Sequence, residues 1–262
     1  MLEIYAPLKA AGVPFVIANI ESSEMIKYAS NGFLAAKITF VNEIAELCER
    51  AGADVEVVAR GMGLDNRINP KFLHPGPGYG GSCFPKDTAA IAQIAEEHGM
   101  KFEIIDAVLS ANERVRQRMV PKIEAAFEGV AGKTVALLGL AFKGDTDDMR
   151  ESPAIPIVEG LVKAGARVRA YDPAAMEIAR PLLPAIEYCS DPYDAARGAD
   201  GLVIATEWNQ FRALELDQMK KLLRRPLIVD LRNLYEPERV AAAGFRYVSI
   251  GRAEAQPRGA QA

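Results

Sequence analysis

The sequence is poor in the residues that staple or metallate small proteins. Its 262 residues include three cysteines and two histidines. Cys48, Cys83 and Cys189 are widely spaced and give no disulfide framework, so a reducing, cytoplasmic setting is expected. His74 and His98 lie far apart and no CxxC pair occurs, which argues against a structural zinc site. There is no basic block: 31 Lys and Arg stand against 35 Asp and Glu, a formal net charge of -4. That balance argues against nucleic acid as the main partner. No apolar run approaches the length of a membrane span. The first twenty residues, MLEIYAPLKAAGVPFVIANI, lack the basic start and long apolar core of a signal peptide. What is present is half hydrophobic, with charge of both signs. Such a chain can build one large or two smaller cores.

Two rhythms divide it. From Ser22 to Arg50, apolar residues recur at three- and four-residue steps: Met25, Ala29, Phe33, Ala36, Phe40, Ile44, Leu47. This predicts a long helix capped by Ser22 or Ser23 and stopped at Gly52. So long an apolar stripe packs within a bundle or across a dimer interface. Gly32 inside it points to a close approach. Further helices are expected over about 54–60, 85–98 and 102–127, the last bent at Pro121. At Gly132 the rhythm changes. TVALLGLAF is a continuous apolar run of the kind that forms a strand buried on both faces. ARVRAYDP, AIEYCSDP, DGLVIATE, PLIVDLRN and FRYVSIG follow, with helical stretches between most of them. Alternating strand and helix predicts a doubly wound parallel sheet, so the fold class is α/β. LEIYAPLKAAG and VPFVIANI read as a helix and a strand with no nearby sheet to join. The expected organisation is 1–20 as the remnant of an upstream domain, 21–130 helical, 131–252 Rossmann-like, and 253–262 a disordered tail.

The stretch HPGPGYGGSCFPKD, 74–87, carries the most chemistry. Its glycines at 76, 78 and 81 satisfy G-x-G-x-x-G. A dinucleotide fingerprint follows a strand and opens a helix directly. Here NPKFLHP precedes it, with two prolines and no apolar run, and SCFP intervenes before any helix. The glycines therefore supply backbone freedom and close approach for a ligand. Pro85 suits the first turn of a helix. Cys83 then lies just before that helix, where amide dipoles and Lys86 favour a thiolate. The alternative is a small residue in a tight turn. Cys48 and Cys189 read as structural. Asp87, one turn on, could activate a water or merely serve the helix N-terminus. Lys27 and Asn31, four apart, share a face that could stabilise an oxyanion or be a solvated stripe.

Three segments together carry a resemblance: EMIKYASNGFLAAKITFVNEIAELC, DNRINPKFLHPGPGYGGSCFPKDT and GLAFKGDTDDMRESPA. In order and spacing they resemble the UDP-glucose/GDP-mannose 6-dehydrogenase family, over about Leu2 to Arg252. The resemblance implies oxidation of a sugar nucleotide's C6 alcohol to a carboxylate with two NAD+. The substrate would be UDP-glucose or a related sugar nucleotide, such as GDP-mannose. It makes Cys83 the nucleophile that passes through a thiohemiacetal and a thioester. Lys27 and Asn31 become oxyanion stabilisers and Asp87 the residue that assists water. Arg67 resembles an arginine reaching into a partner subunit's site, which implies a homodimer. Phe72, Leu73 and the backbone from Gly78 through Tyr79 to Gly80 would line the sugar-nucleotide site. Phe142, Lys143 and Arg232 would contact the nucleotide, and Arg150 the NAD side. Arginine and lysine suit a diphosphate. GLAFKGDT also looks like a P-loop, but Asp145 stands where that motif needs lysine, so ATP is not implied. Asp172 ends a strand as a ribose acid would, yet the glycine pattern before it is wrong. The family's NAD-binding Rossmann domain has no counterpart in these residues, so the chain alone is expected to turn over little or not at all. A non-catalytic module that binds sugar nucleotide or dimerises is the alternative.

Overall fold

The structure is a computed structural model and describes residues 3–257. A short helix, α1 (Ala6–Ala10), comes first. Residues 13–19 form no strand. VPFVIANI has strand composition but meets no neighbouring edge, and an unpaired strand leaves its amides and carbonyls without ladder partners. Helix α2 spans Ile20–Ala51 and starts two residues before the expected serines. Its cap is Asn19, whose side chain accepts from the Ser22 amide at 3.1 Å. Gly52 ends it in the left-handed region, φ +72°. Helices α3 (Val55–Gly63), α4 (Phe84–Glu97) and α5 (Glu103–Phe127) follow, and α5 runs through Pro121 unbroken.

The buried side of α2 is not the predicted stripe. Met25, Ala29, Phe33, Phe40 and Leu47 are exposed, and Ala36 and Ile44 are half-buried. The buried residues are Asn31, Gly32, Ala35, Thr39, Val41, Asn42, Ala45 and Cys48. Small and polar side chains let α4 and α5 pack close. A Cβ at Gly32 would lie 2.9 Å from the end of the Ile105 side chain.

From β1 (Thr134–Leu138) the chain alternates. Next come α6 (Ala154–Lys163), β2 (Arg167–Tyr171), α7 (Met176–Leu182) and the two-residue β3 (Glu187–Tyr188). They are followed by α8 (Pro192–Ala196), β4 (Gly201–Ile204), α9 (Asn209–Arg212) and α10 (Leu216–Leu222). The last elements are β5 (Leu227–Asp230), α11 (Pro237–Ala242) and β6 (Arg246–Ser249). All six strands are parallel in the order β3-β2-β1-β4-β5-β6. This is the doubly wound α/β sheet expected, with its order reversing between β1 and β4. One face shares a continuous core with the helical half, joining Val41, Ala45, Ile123 and Phe127 to Leu137, Val203 and Val229. The other face packs Leu138, Ile204 and Ile228 on Phe211, Met219 and Phe245. Within the segment expected to be disordered from 253, Ala255 makes an antiparallel bridge to Tyr247 and Glu254 pairs with Arg246 at 2.6 Å. Residues 258–262 lie outside the described residues. Among the described residues no helix is long and apolar enough to cross a membrane.

Candidate functional site

Open parallel sheets take ligands beyond their strand C-termini, where the strand order reverses. The segments leaving β1, β4 and β5 there carry Phe142 and Lys143, Glu207, and Arg232. The glycine loop arrives from the helical half and closes against them. The two surfaces enclose a cavity of about 320 Å³ lined by Ile38, Phe72, His74, Gly78, Tyr79, Gly80, Phe84, Phe142, Lys143, Glu207 and Arg232. That volume sits at the lower end of the ~300–1,000 Å³ typical of ligand pockets.

The contact depends on glycine. A Cβ at Gly80 would fall 2.1 Å from the Glu151 carbonyl oxygen, and one at Gly81 2.7 Å from the Phe142 ring. Gly81 also adopts φ +84° and donates its amide to Arg150 O at 2.9 Å. Buried asparagines hold the loop from below. Asn42 accepts from the Gly76 amide at 2.8 Å, and Asn112 accepts from the Tyr79 amide at 2.9 Å. Across the cavity, Arg232 donates to Ala205 O and Phe142 O, both at 2.9 Å. Glu207 pairs with Arg232 Nε at 3.0 Å, and the Lys143 ammonium lies 5.4 Å from the Phe142 ring centre.

Cys83 is exposed and stands at the N-cap of α4. Its neighbours Gly80 and Phe84 line the cavity, while Ser82 and Pro85 line an adjoining open hollow with Lys86 and Arg150. Asp87, one turn into α4, is buried with 2% exposure although its lysine partners are largely exposed. Its carboxylate pairs with Lys86 at 2.9 Å, accepts from Asn31 Nδ2 at 2.5 Å, and lies 3.9 Å from Lys27 Nζ. Burial pushes this carboxyl up, but hydrogen bonds from Lys86 and Asn31 and the charges of Lys86 and Lys27 outweigh it. The net result holds it below the usual carboxylate range. The partner effect on Lys86 is the reverse: its bond and charge interaction with Asp87 hold the ammonium above its usual value. Burial raises the other two thiols, Cys48 in direction and Cys189 to about 11.

Thus Lys27 and Asn31 of α2 meet Asp87 of α4, one helical turn after Cys83. Phe72, Gly78, Tyr79, Gly80, Phe142, Lys143 and Arg232 share the cavity. Three residues stand elsewhere. Leu73 is 3% exposed and packs into the core, not onto the cavity. Arg67 projects into solvent and pairs with its own neighbour Asp65. Arg150, held by Asp148 at 2.8 Å, faces the open hollow. Asn42, Asn112 and Glu207 were not singled out from sequence. A signal existed for one of them: Lys27, Asn31, Ile38 and Asn42 recur at four- and seven-residue steps on one face of α2.

The β1 turn does not fit a dinucleotide. A Cβ at Gly139 would meet the Thr206 side chain at 2.4 Å, so the turn is filled. The fully buried Asp172 carboxylate accepts from the amides of Leu140, Ala141, Ala174 and Ala175 and from Trp208 Nε1, leaving no open ribose acid. No cluster of three or more metal-binding side chains occurs among the described residues.

Comparison with known proteins agrees with this fold. The central-domain family model of the UDP-glucose/GDP-mannose dehydrogenase family matches residues 21–114, and the family's UDP binding domain matches 136–237. A UDP-glucose 6-dehydrogenase of Rhizobium meliloti is 53% identical over 253 residues, 96% of this chain and 58% of its own length. UDP-glucose 6-dehydrogenase TuaD of Bacillus subtilis is 48% identical, over 95% of this chain and 54% of its own. A solved UDP-glucose dehydrogenase from Pyrobaculum islandicum superposes with a TM-score of 0.85 at 38% identity, covering 96% of this chain and 55% of that one. The chain therefore spans a little over half the length of the relatives it matches.

Proposed function

The chain belongs to the UDP-glucose/GDP-mannose dehydrogenase family, and we propose that it carries the sugar-nucleotide site and the nucleophile of a UDP-glucose 6-dehydrogenase. The observation that carries the reading is one arrangement: a cavity walled by Phe142, Lys143 and Arg232 runs up to the loop that presents Cys83. UDP occupies the sheet side, where cations meet its diphosphate. The hexose lies under the glycine loop with C6 toward Cys83.

The Cys83 thiolate adds to the C6 aldehyde, forming a C–S bond and a thiohemiacetal. Lys27 and Asn31 donate to the oxygen that gains charge. Asn31 can do so while bonded to Asp87, because a carboxamide has two N–H donors. Loss of a hydride and a proton leaves a thioester. Water then adds, the C–S bond breaks, and carboxylate and thiol are released. A carboxylate held below its usual range is a weak base at neutral pH. Asp87 therefore acts mainly by accepting a hydrogen bond from that water and orienting it. NAD would be the oxidant and would supply the hydride acceptor for both oxidations. The sheet of this chain offers it no cradle, and Arg150 is the described residue that would face it. The alcohol oxidation and the second subunit's contribution through Arg67 belong to the assembled enzyme, which we propose is a homodimer joined through the exposed stripe of α2.

Calorimetric titration tests the reading. UDP-glucose is expected to bind the chain more tightly than GDP-mannose, and Lys143→Ala to weaken that binding. Heat from neither ligand, or preference for GDP-mannose, would refute it.

A further inference from the structure

Lys37 lies on α2 beyond the proposed catalytic pair, and nothing above gives it a task. Its ammonium donates to three backbone carbonyls of one loop: Ile68 O at 2.8 Å, Asn69 O at 3.1 Å and Lys71 O at 2.6 Å. An ammonium has three N–H donors, so this contact saturates it. The same loop holds two non-glycine residues in the left-handed region, Asn69 at φ +67° and Phe72 at φ +66°. An aromatic side chain rarely adopts that conformation, and it persists only where the surroundings impose it. The Lys71 carbonyl belongs to the peptide plane immediately before Phe72. Holding that plane restrains rotation about the Phe72 N–Cα bond. The Phe72 ring then lines the cavity and meets Phe84 edge-on, ring centres 6.1 Å apart, one residue from Cys83.

We propose that Lys37 is a positioning residue that locks the strained 68–72 backbone and so aims Phe72 into the cavity. The proposal rests on reading that cavity as the sugar-nucleotide site. Two measurements on the full chain test it. Amide hydrogen exchange without ligand reads the loop directly: Lys37→Met accelerates exchange across 68–73 about tenfold or more, and Lys37→Gln, with two donors, does so less. Calorimetry with UDP-glucose reads the consequence: Lys37→Met raises Kd about tenfold, the equivalent of releasing modest backbone strain. In a Phe72→Gly background, Lys37→Met changes Kd less than about twofold, because glycine takes φ +66° freely and no ring remains to be aimed. Unchanged exchange in Lys37→Met, or an equal loss of affinity in both backgrounds, overturns the assignment. A wild-type chain that binds no UDP-glucose overturns the sugar-nucleotide reading instead, and the exchange result then decides the Lys37 lock alone.

Discussion

Replacing Gly80 by alanine probes the junction on which the site depends. The added Cβ would lie 2.1 Å from the Glu151 carbonyl oxygen, 2.9 Å from its carbonyl carbon and 3.2 Å from Pro153 Cδ. Ordinary C···O contacts are about 3.3 Å or longer, so the two loops must part by roughly 1.2 Å. The obstacle is backbone and is tied down on several sides. Glu151 has φ +51°, its side chain pairs with Arg116 at 3.1 Å, and the next residue, Ser152, donates to Leu140 O at 2.6 Å. Overpacking of this kind costs about 1–3 kcal/mol, and a fixed carbonyl places it toward the upper end. Alanine regains about 0.4–1 kcal/mol by restricting the unfolded chain. The net loss is about 2 kcal/mol, which lowers a urea midpoint by roughly 0.7–1 M. Gly61 is the matched control: it lies within α3, and a Cβ added there would meet nothing within 4 Å. Gly61→Ala should stabilise by about 0.5–1 kcal/mol, from helix propensity alone. Urea unfolding followed by circular dichroism measures both variants. A Gly80→Ala midpoint at or above wild type would refute the claim that this glycine is required by the approach of the two loops.

Iodoacetamide at pH 8 should label the folded chain once, at Cys83, and Cys83→Ser should take up none. Burial holds Cys189 at about 11, leaving about one thiolate in a thousand; comparable labelling of peptides containing Cys48 or Cys189 would contradict this. Asp87 has its folded carboxyl value depressed, so its stabilisation is complete above the unfolded value of about 3.9 and is lost as pH falls through the lower folded value. Asp87→Asn should accordingly flatten the acid limb of a midpoint-against-pH curve below about pH 4, and parallel limbs would exclude the role. Phe40, half-exposed on the uncovered stripe of α2, should tolerate glutamate in a monomer but not in a helix pair. Light scattering at micromolar concentration is expected to give twice the chain mass for wild type and the single mass for Phe40→Glu, and a monomeric wild type would defeat the dimer proposal.

The alternation of apolar runs with helical stretches after Gly132 is sufficient to specify a parallel doubly wound sheet, because strands buried on both faces and right-handed crossovers leave few other arrangements. The placement of Cys83 just before a helix was equally legible, since Pro85 and the glycines before it admit little else. Spacing also put Lys27 and Asn31 on one face, but could not say what that face met. Only the packed chain brought Asp87 to Asn31, 56 residues apart, and buried a carboxylate between exposed lysines. The orientation of α2 was likewise undecided by periodicity. A helix with apolar residues on one side and small or polar ones on the other can bury either, and the close approach of α5 at Gly32 selected the small-residue side. VPFVIANI went the same way, its local chemistry overruled by which neighbours were within reach, whereas the cavity role of Leu73 was implied by resemblance alone and its apolar side chain joined the core. Local sequence determines which conformations a segment can adopt. Contacts between distant segments determine which face is buried, which glycine has no room for a methyl group, and which charges share a site.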